Sequence, residues 1–195
     1  MNITGIILAG GKSSRMGQNK SLLKLGSLTL IEVILQKMKS FFAEVIIITN
    51  TPKDYEFLHI PLYTDIYPHL GPLSGIHSGL VNSRTDVNFF ISCDSPCFTS
   101  ELLNYVVAKY NGQQALSISE DDRVHYLFGI YTRDSIPVLE RCLKNKELRV
   151  SQYFNKIGGE LISIEKSGIF SDDLFFNVNT AEDYEKLKKL FKERE

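Results

Sequence analysis

The chain alternates short apolar runs with stretches in which apolar residues recur at helical spacing. Apolar runs predict strands, and helical spacing predicts helices that bury one face. The predicted strands span residues 3–8, 45–49, 62–63, 89–92, 115–119 and 127–131. The predicted helices span about 29–42, a short stretch from 75, then 100–110, 136–143 and a last stretch from about 181. This alternation predicts an α/β fold in which a mostly parallel sheet carries helices on both faces.

The composition is that of one α/β domain covering residues 1–195, with 43% hydrophobic and 23% charged residues. The net charge of −1 comes from 22 basic and 23 acidic residues, which excludes a global attraction to nucleic acid or to an anionic membrane. Cys93, Cys97 and Cys142 lack the spacing of zinc ligands or of a redox pair, so we expect packing residues in a reducing compartment. The chain shows no signal-peptide pattern and no apolar run of about 18 residues. We therefore expect a cytoplasmic protein with neither a nucleic-acid nor a membrane partner.

A glycine-rich, cationic stretch, LAGGKSSRMG at residues 8–17, leaves the first predicted strand and is followed by Lys20. Gly10 and Gly11 let the backbone approach a ligand without a Cβ in the way. Arg15 and Lys20, with a further lysine, supply positive charge, and loop N–H groups can line a concavity for oxyanions. The stretch predicts a phosphate site or, alternatively, a solvated glycine turn with surface cations.

Two common nucleotide motifs do not fit this stretch. A Walker motif needs a glycine five residues before Gly11, and Ile6 holds that position. The dinucleotide fingerprint fails because neither Gly10 nor Gly11 begins the GxGxxG spacing. A phosphate site here would therefore belong to another class.

Polar residues follow several of the predicted strands, and open parallel sheets bind ligands at the carboxyl ends of their strands. Asn50 follows the second strand, Asp65 the third and Asp94 the fourth. Asp94 suits Mg²⁺, which takes oxygen ligands, or else it caps the helix near Thr99 or stabilises the turn before Pro96. Asp65 assists the metal, binds a ribose or base, or lies in a surface turn. We expect these groups to converge on one crevice.

The run GPLSG, residues 71–75, opens an apparent helix. Its glycines and proline shape a tight turn, and the N–H groups at a helix start can bind an anion or a base edge. The alternative is an ordinary helix entry. Isolated histidines elsewhere, among them His125, are not expected to bind metal.

Four motifs occur in order: LAGGKSSRMG with Lys20, GPLSG, CDSP at residues 93–96, and FNVNTAEDY at residues 176–184. Together they resemble the molybdenum cofactor guanylyltransferase family over nearly the whole chain. The related molybdopterin cytidylyltransferases typically carry alanine at the position of Gly10, so this glycine favours guanine over cytosine. The family usually has proline where this chain has Ala181, and alanine is an acceptable first residue of a helix.

The resemblance implies a Rossmann-like three-layer α/β sandwich that transfers GMP from Mg²⁺-bound GTP to molybdenum-bound molybdopterin and releases pyrophosphate. The catalytic residues that it implies are Arg15, Lys20 and Asp94, with Asp94 binding Mg²⁺. Asn177 and Asn179 would lie on the acceptor or metal side. The nucleotide-binding residues that it implies are Leu8, Ala9, Gly10, Gly11, Lys20, Asn50, Asp65, Gly71, Pro72, Leu73, Gly75 and Asp94.

The partners implied by the resemblance are GTP, molybdenum-bound molybdopterin and cofactor-insertion proteins or recipient molybdoenzymes. Gly129 and Arg149 also resemble acceptor-side segments of the family, although an internal strand glycine and a surface arginine explain them as well. Two alternatives to this function stay open. One is a related nucleotidyltransferase that uses CTP or a sugar phosphate, and the other is a non-catalytic nucleotide-binding or cofactor-chaperone module.

Overall fold

The structure is a computed structural model that describes residues 1–10, 19–169 and 173–192. Its strands are β1 (Ile3–Leu8), β2 (Lys24–Leu25), β3 (Leu28–Thr29), β4 (Glu44–Ile48), β5 (Leu62–Tyr63), β6 (Val87–Ser92), β7 (Ala115–Glu120), β8 (Arg123–Thr132) and β9 (Glu160–Ser163). Its α-helices are α1 (Leu30–Phe41), α2 (Pro72–Asn82), α3 (Ser100–Lys109), α4 (Ile136–Lys144), α5 (Val150–Lys156) and α6 (Ala181–Lys192). Short 3₁₀ helices at Lys20–Leu22 and Pro52–Leu58 contribute to the site.

A seven-stranded sheet with the order β5-β4-β1-β6-β8-β7-β9 forms the centre of the described fold. β1 pairs in parallel with β4 and β6, β4 with β5, and β7 with β9. β8 runs antiparallel to both of its neighbours, β6 and β7. The carboxyl ends of β1, β4, β5 and β6 therefore share one edge of the sheet with the first residues of β8. The predicted α/β class with a mostly parallel sheet is confirmed.

Helices cover both faces of the sheet because successive strand residues point to opposite sides. Ile7 of β1 packs in one core with the apolar stripes of α1 and α3. Ile6, one residue earlier, packs in a second core with α2, α4 and α5. The strands that carry the candidate site are thus buried on both faces, which fixes where their ends lie.

Two helix starts are set by side-chain capping. At α1, Thr29 accepts a hydrogen bond from the N–H of Glu32 at 3.4 Å, and the Glu32 carboxylate accepts the N–H of Thr29 at 2.7 Å. Before α6, Thr180 accepts the N–H of Asp183 at 3.1 Å, and the Asp183 carboxylate accepts the N–H groups of Asn179 and Thr180 at 2.9 and 2.8 Å. These bonds stabilise the helix start at Ala181 and order the segment before it.

The structure corrects several predicted boundaries. The helix expected from residue 75 begins three residues earlier, because Pro72 suits the first helical position. β8 begins at Arg123 rather than at residue 127, since its first half is only partly buried and shows no continuous apolar run. The prediction omitted β2, β3, β9 and α5, which are too short or too exposed to produce a clear periodic signal. Within the described residues, none of the helices combines the length and apolar character needed to cross a bilayer.

Candidate active site

The end of β1 is held between two neighbouring strands. The N–H of Ala9 donates to the carbonyl of Ile48 at 2.9 Å, and the N–H of Cys93 donates to the carbonyl of Leu8 at 3.1 Å. A Cβ at Gly10 would meet no described atom within 4 Å. The predicted residues Gly11 and Arg15 lie outside the described residues.

Asn50 and Asp65 lie beside this strand end and pair with each other. The Asn50 amide donates to the Asp65 carboxylate at 2.8 Å and accepts the N–H of Asp65 at 3.2 Å. Burial raises the pKa of the Asp65 carboxyl group, and the bond from Asn50 acts in the opposite direction. Asp65 is therefore a fixed carboxylate in the crevice rather than part of a loose surface turn.

The start of α2 lies against the end of β1 and near Asp65. Gly71 has a φ of 74°, a left-handed conformation that favours glycine, and Pro72 follows it as the first helical residue. No described side chain caps this helix start. Leu73 is fully buried in the core, so only its backbone is available to a ligand. A Cβ at Gly75 would lie 3.1 Å from a Leu8 methyl and 3.9 Å from an Asp65 oxygen, which places this turn against β1.

We refer to this cluster as the β1-end group. Its members are main-chain or small polar groups at the carboxyl ends of β1, β4 and β5 and at the start of α2. They are Leu8, Ala9, Gly10, Asn50, Asp65, Gly71, Pro72, Leu73 and Gly75.

Asp94 follows β6, one residue after Cys93, which is bonded to β1. The α3 start is capped by Thr99, whose hydroxyl accepts the N–H of Leu102 at 3.3 Å, so Asp94 is not the cap of that helix. Among described residues, the Ser95 hydroxyl oxygen lies within hydrogen-bond distance of its carboxylate, at 3.3 Å. Most of the acceptor capacity of this half-buried carboxylate is thus available to a ligand.

A lysine on α1 fixes the loop that carries Asp94. The Lys37 ammonium group donates to the carbonyls of Pro96 and Phe98 at 2.7 and 2.8 Å, and lies 4.9 Å from the centre of the Phe98 ring.

Burial, aided by the charge of Asp94, raises the pKa of the Cys93 thiol to about 12. Cys93 therefore stays protonated at neutral pH and does not act as a nucleophile. Cys93, Cys97 and Cys142 are free thiols in the structure.

The segment 173–179 crosses the site from one side to the other. Its Phe175 ring stacks on His125 with the ring centres 3.6 Å apart, and its Asn177 accepts a hydrogen bond from the Ser95 hydroxyl. The N–H of Val178 donates to the Asp94 carbonyl at 3.2 Å. The Lys20 ammonium group donates to the Asn179 side chain at 3.3 Å. The two predicted asparagines are therefore brought to Asp94 and to Lys20.

A cavity of about 280 Å³ opens beside Asp94, between β6, the first half of β8 and the segment 173–179. We call it the Asp94 cavity. It is lined by Ile91, Ser92, Asp94, Ser95, Val124, His125, Tyr126, Leu127, Phe128, Val150, Phe175 and Asn177. Burial lowers the pKa of His125, while its hydrogen bond to Glu120 at 3.1 Å acts to raise it. The walls of the Asp94 cavity are mainly aromatic and apolar. Asp94, Ser95 and Asn177 add polar groups, as is typical of small-molecule pockets.

Sequence reasoning missed His125 and Phe175, because a lone histidine near a strand and a phenylalanine in an irregular segment carry no motif. The alternative explanations given for Gly129 and Arg149 agree with the structure, and their acceptor-side role stays a prediction. A Cβ at Gly129 would lie 2.3 Å from the carbonyl oxygen of Leu116, so close strand packing requires that glycine. Arg149 precedes α5 and is exposed.

Within the described residues, no group of three or more histidine, cysteine, aspartate or glutamate side chains is arranged to hold a metal ion. A single carboxylate such as Asp94 nevertheless fits Mg²⁺ that arrives on nucleotide phosphates. This cation usually keeps several waters and takes one or two protein carboxylates together with phosphate oxygens.

Known proteins resemble this chain in sequence and in fold. Residues 5–156 match the MobA-like NTP transferase domain. The probable molybdenum cofactor guanylyltransferase of Carboxydothermus hydrogenoformans is 33% identical over 196 residues, which cover 100% of this chain and 99% of the relative. The corresponding protein of Clostridium perfringens strain 13 is 36% identical over 188 residues, covering 94% of each chain.

The fold is shared with a solved structure, molybdopterin-guanine dinucleotide biosynthesis protein A from Archaeoglobus fulgidus. The TM-score is 0.84 at 23% identity, covering 98% of this chain and 100% of that one. The resemblance seen in the four sequence motifs is confirmed by the sequence relatives. The chain belongs to the MobA-like NTP transferase family and is a nucleotidyltransferase.

Proposed function

We propose that this protein transfers GMP from Mg²⁺-bound GTP to the terminal phosphate of molybdenum-bound molybdopterin. Pyrophosphate is released, and molybdopterin guanine dinucleotide is formed. The observation that carries the proposal is the position of Asp94, which lies between the β1-end group and the Asp94 cavity. A nucleotide on one side and an acceptor on the other would then meet at this carboxylate. The names of the sequence relatives, probable molybdenum cofactor guanylyltransferases, support transfer of a guanylyl group to a molybdenum cofactor.

The chemistry requires positioning more than acid or base catalysis. The acceptor phosphate is already an anionic nucleophile, and it attacks the α-phosphorus of GTP as the bond to pyrophosphate breaks. Such transfers depend on in-line alignment and on neutralising the charge on the phosphates. The protonated Cys93 thiol agrees with a mechanism that has no covalent intermediate.

The nucleotide is assigned to the β1-end group. Backbone at Leu8, Ala9 and Gly10 would contact the base and ribose, with Asn50 and Asp65 as hydrogen-bonding partners. The uncapped start of α2, at residues 71–75, offers N–H groups to the base edge or to a phosphate. Gly10 leaves room for guanine, and Gly11 completes the glycine pair.

The phosphates are assigned to Lys20, Arg15 and Asp94. Lys20 already reaches across the site to Asn179, which places its ammonium group near the segment that contacts Asp94. Asp94 would hold Mg²⁺, which neutralises charge on the α-phosphate and on the leaving pyrophosphate when it is bound. Arg15 would add a second cation from the glycine-rich stretch.

The acceptor is assigned to the Asp94 cavity. Asn177 and Ser95 line its polar end beside Asp94, where the acceptor phosphate would align with the nucleotide. The aromatic side chains along its walls suit the fused rings of a pterin. The dinucleotide formed there would pass to cofactor-insertion proteins or recipient molybdoenzymes, and we propose the cytoplasm as the compartment, in keeping with the free thiols.

The experiment mixes the purified chain with Mg²⁺, molybdenum-bound molybdopterin and either GTP, CTP or UTP. We expect pyrophosphate and the guanine dinucleotide from GTP, and much slower release from the other two. Preferred use of CTP or UTP would contradict the assignment of guanine. Binding of GTP without any pyrophosphate release would instead indicate a nucleotide-binding module.

A further inference from the structure

The hydroxyl group of Tyr55 lies at a junction that the proposed reaction has not used. Tyr55 belongs to the 3₁₀ helix Pro52–Leu58 that follows β4, and only 1% of the residue is exposed. Its hydroxyl lies 2.8 Å from the Ser21 Oγ, accepts from the Asn19 Nδ2 at 3.0 Å, and lies 3.5 Å from the carbonyl oxygen of Ala9. It therefore connects the residues before and after Lys20 and lies close to the end of β1.

These groups form a closed ring of hydrogen bonds. The Ser21 hydroxyl donates to the Asn19 Oδ1 at 2.8 Å, the Asn19 Nδ2 donates to the Tyr55 oxygen at 3.0 Å, and the Tyr55 and Ser21 hydroxyl oxygens lie 2.8 Å apart, where either can donate. Burial raises the pKa of Tyr55, so the hydroxyl keeps the proton that it donates. Each member of such a ring polarises the next, and its Tyr55–Ser21 contact is buried.

Lys20 lies between the two ring members Asn19 and Ser21, and its own side chain points to Asn179 across the site. The residues before and after the lysine are thus fixed to Tyr55, while the lysine itself is left to contact a ligand. We propose that Tyr55 is a positioning residue for the reaction. Its hydroxyl group holds the backbone on both sides of Lys20, so that the Lys20 ammonium group can contact the nucleotide phosphates. This inference rests on the proposed function, because it assumes that Lys20 binds those phosphates.

The test variant is Tyr55→Phe, which removes one oxygen atom and conserves the volume of the ring. Tyr153→Phe is a matched control because Tyr153 is also buried, at 0% exposure, and its hydroxyl also bonds a serine, Ser135, at 2.6 Å. This control lies in the core of α4 and α5, outside the site. Both variants are expected to lose similar thermal stability, so stability alone does not separate them.

Binding of GTP, guanosine and inorganic triphosphate is measured by calorimetry. Loss of one buried hydrogen bond corresponds to roughly a fivefold change in an equilibrium constant. We expect Tyr55→Phe to weaken GTP and inorganic triphosphate about fivefold and to leave guanosine unchanged, because guanosine carries no phosphate. Tyr153→Phe should bind all three like the wild type. Hydrogen exchange at residues 19–22 should be faster in Tyr55→Phe alone.

A double-mutant cycle with Lys20→Met tests whether Tyr55 acts through the lysine. If it does, Tyr55→Phe has no further effect on triphosphate binding once Lys20 is replaced. An equal loss in both backgrounds, or unchanged triphosphate binding in Tyr55→Phe, overturns the inference. A wild type that binds inorganic triphosphate but prefers CTP to GTP contradicts the proposed function only, and the cycle still decides the role of Tyr55. A wild type that binds no triphosphate overturns both.

Discussion

The β1-end group and the Asp94 cavity lie on two sides of one carboxylate, yet the chain builds them differently. The β1-end group consists largely of backbone and small residues at the ends of adjacent parallel strands, and within it Asn50 and Asp65 are hydrogen-bonded to each other. The Asp94 cavity is lined mainly by large side chains from the antiparallel strand β8 and from the irregular segment 173–179.

This difference suggests a division of labour. A site made of backbone can bind a nucleotide that many related enzymes share, because its shape depends on the fold rather than on particular side chains. A site made of side chains can be changed by substitution without disturbing the sheet. We infer that the nucleotide side follows from the fold and that the acceptor side carries most of what is specific to this reaction.

The largest effect is expected at Asp94, where the two sides meet. Asp94→Asn conserves shape but removes the charge that would hold Mg²⁺, so we expect kcat to fall by about a hundredfold or more. Binding of GTP without Mg²⁺ should change little, since the backbone of the β1-end group remains. Steady-state kinetics and calorimetry measure the two quantities. If kcat and metal-free GTP binding fell together, Asp94 would belong to the nucleotide side alone.

A smaller and more selective effect is expected from one asparagine on each side. Asn177→Ala should raise the KM for the molybdopterin acceptor roughly tenfold and leave the KM for GTP unchanged, because one hydrogen-bonding group next to Ser95 is lost. Asn50→Ala should do the reverse, since it breaks two hydrogen bonds to Asp65 on the nucleotide side.

Asn104→Ala, at an exposed position on α3, is the control that should alter neither KM. If Asn50→Ala and Asn177→Ala changed both KM values alike, the two sides would be one continuous site. If Asn177→Ala changed only the KM for GTP, Asn177 would belong to the nucleotide side.

The same contrast explains what the sequence could predict. Buried parallel strands produce continuous apolar runs, and the polar residues that follow these runs include Asn50, Asp65 and Asp94. Contacts between residues that are far apart in the sequence produce no such local pattern. Nothing in the local pattern around residue 125 shows that β8 reverses direction, or that His125 meets Phe175 from a segment fifty residues later. Tyr55 likewise belongs to no sequence motif, and its hydroxyl partners come from another part of the chain.

The smallest effect concerns the stability of the nucleotide side. Burial raises the pKa of Asp65, so the folded chain holds its proton to a higher pH than the unfolded chain does. Between these two pKa values the folded state binds more protons, and the free energy of unfolding falls as the pH rises through this window. Above the window, the cost of the buried charge is present in full and no longer depends on pH.

Asp65→Asn removes that charge and keeps an oxygen that can accept from Asn50. We expect its Tm at pH 7 to exceed that of the wild type by no more than about 3 °C, and the gap to close as the pH falls toward 4. Asp122→Asn, at an exposed turn, should show no such pH dependence. If the difference in Tm between Asp65→Asn and the wild type grew as the pH fell, the charge of Asp65 would stabilise the folded chain. If Asp65→Asn is more stable than the wild type and also binds GTP more weakly, the Asp65 carboxylate lowers the stability of the fold but is needed to bind GTP.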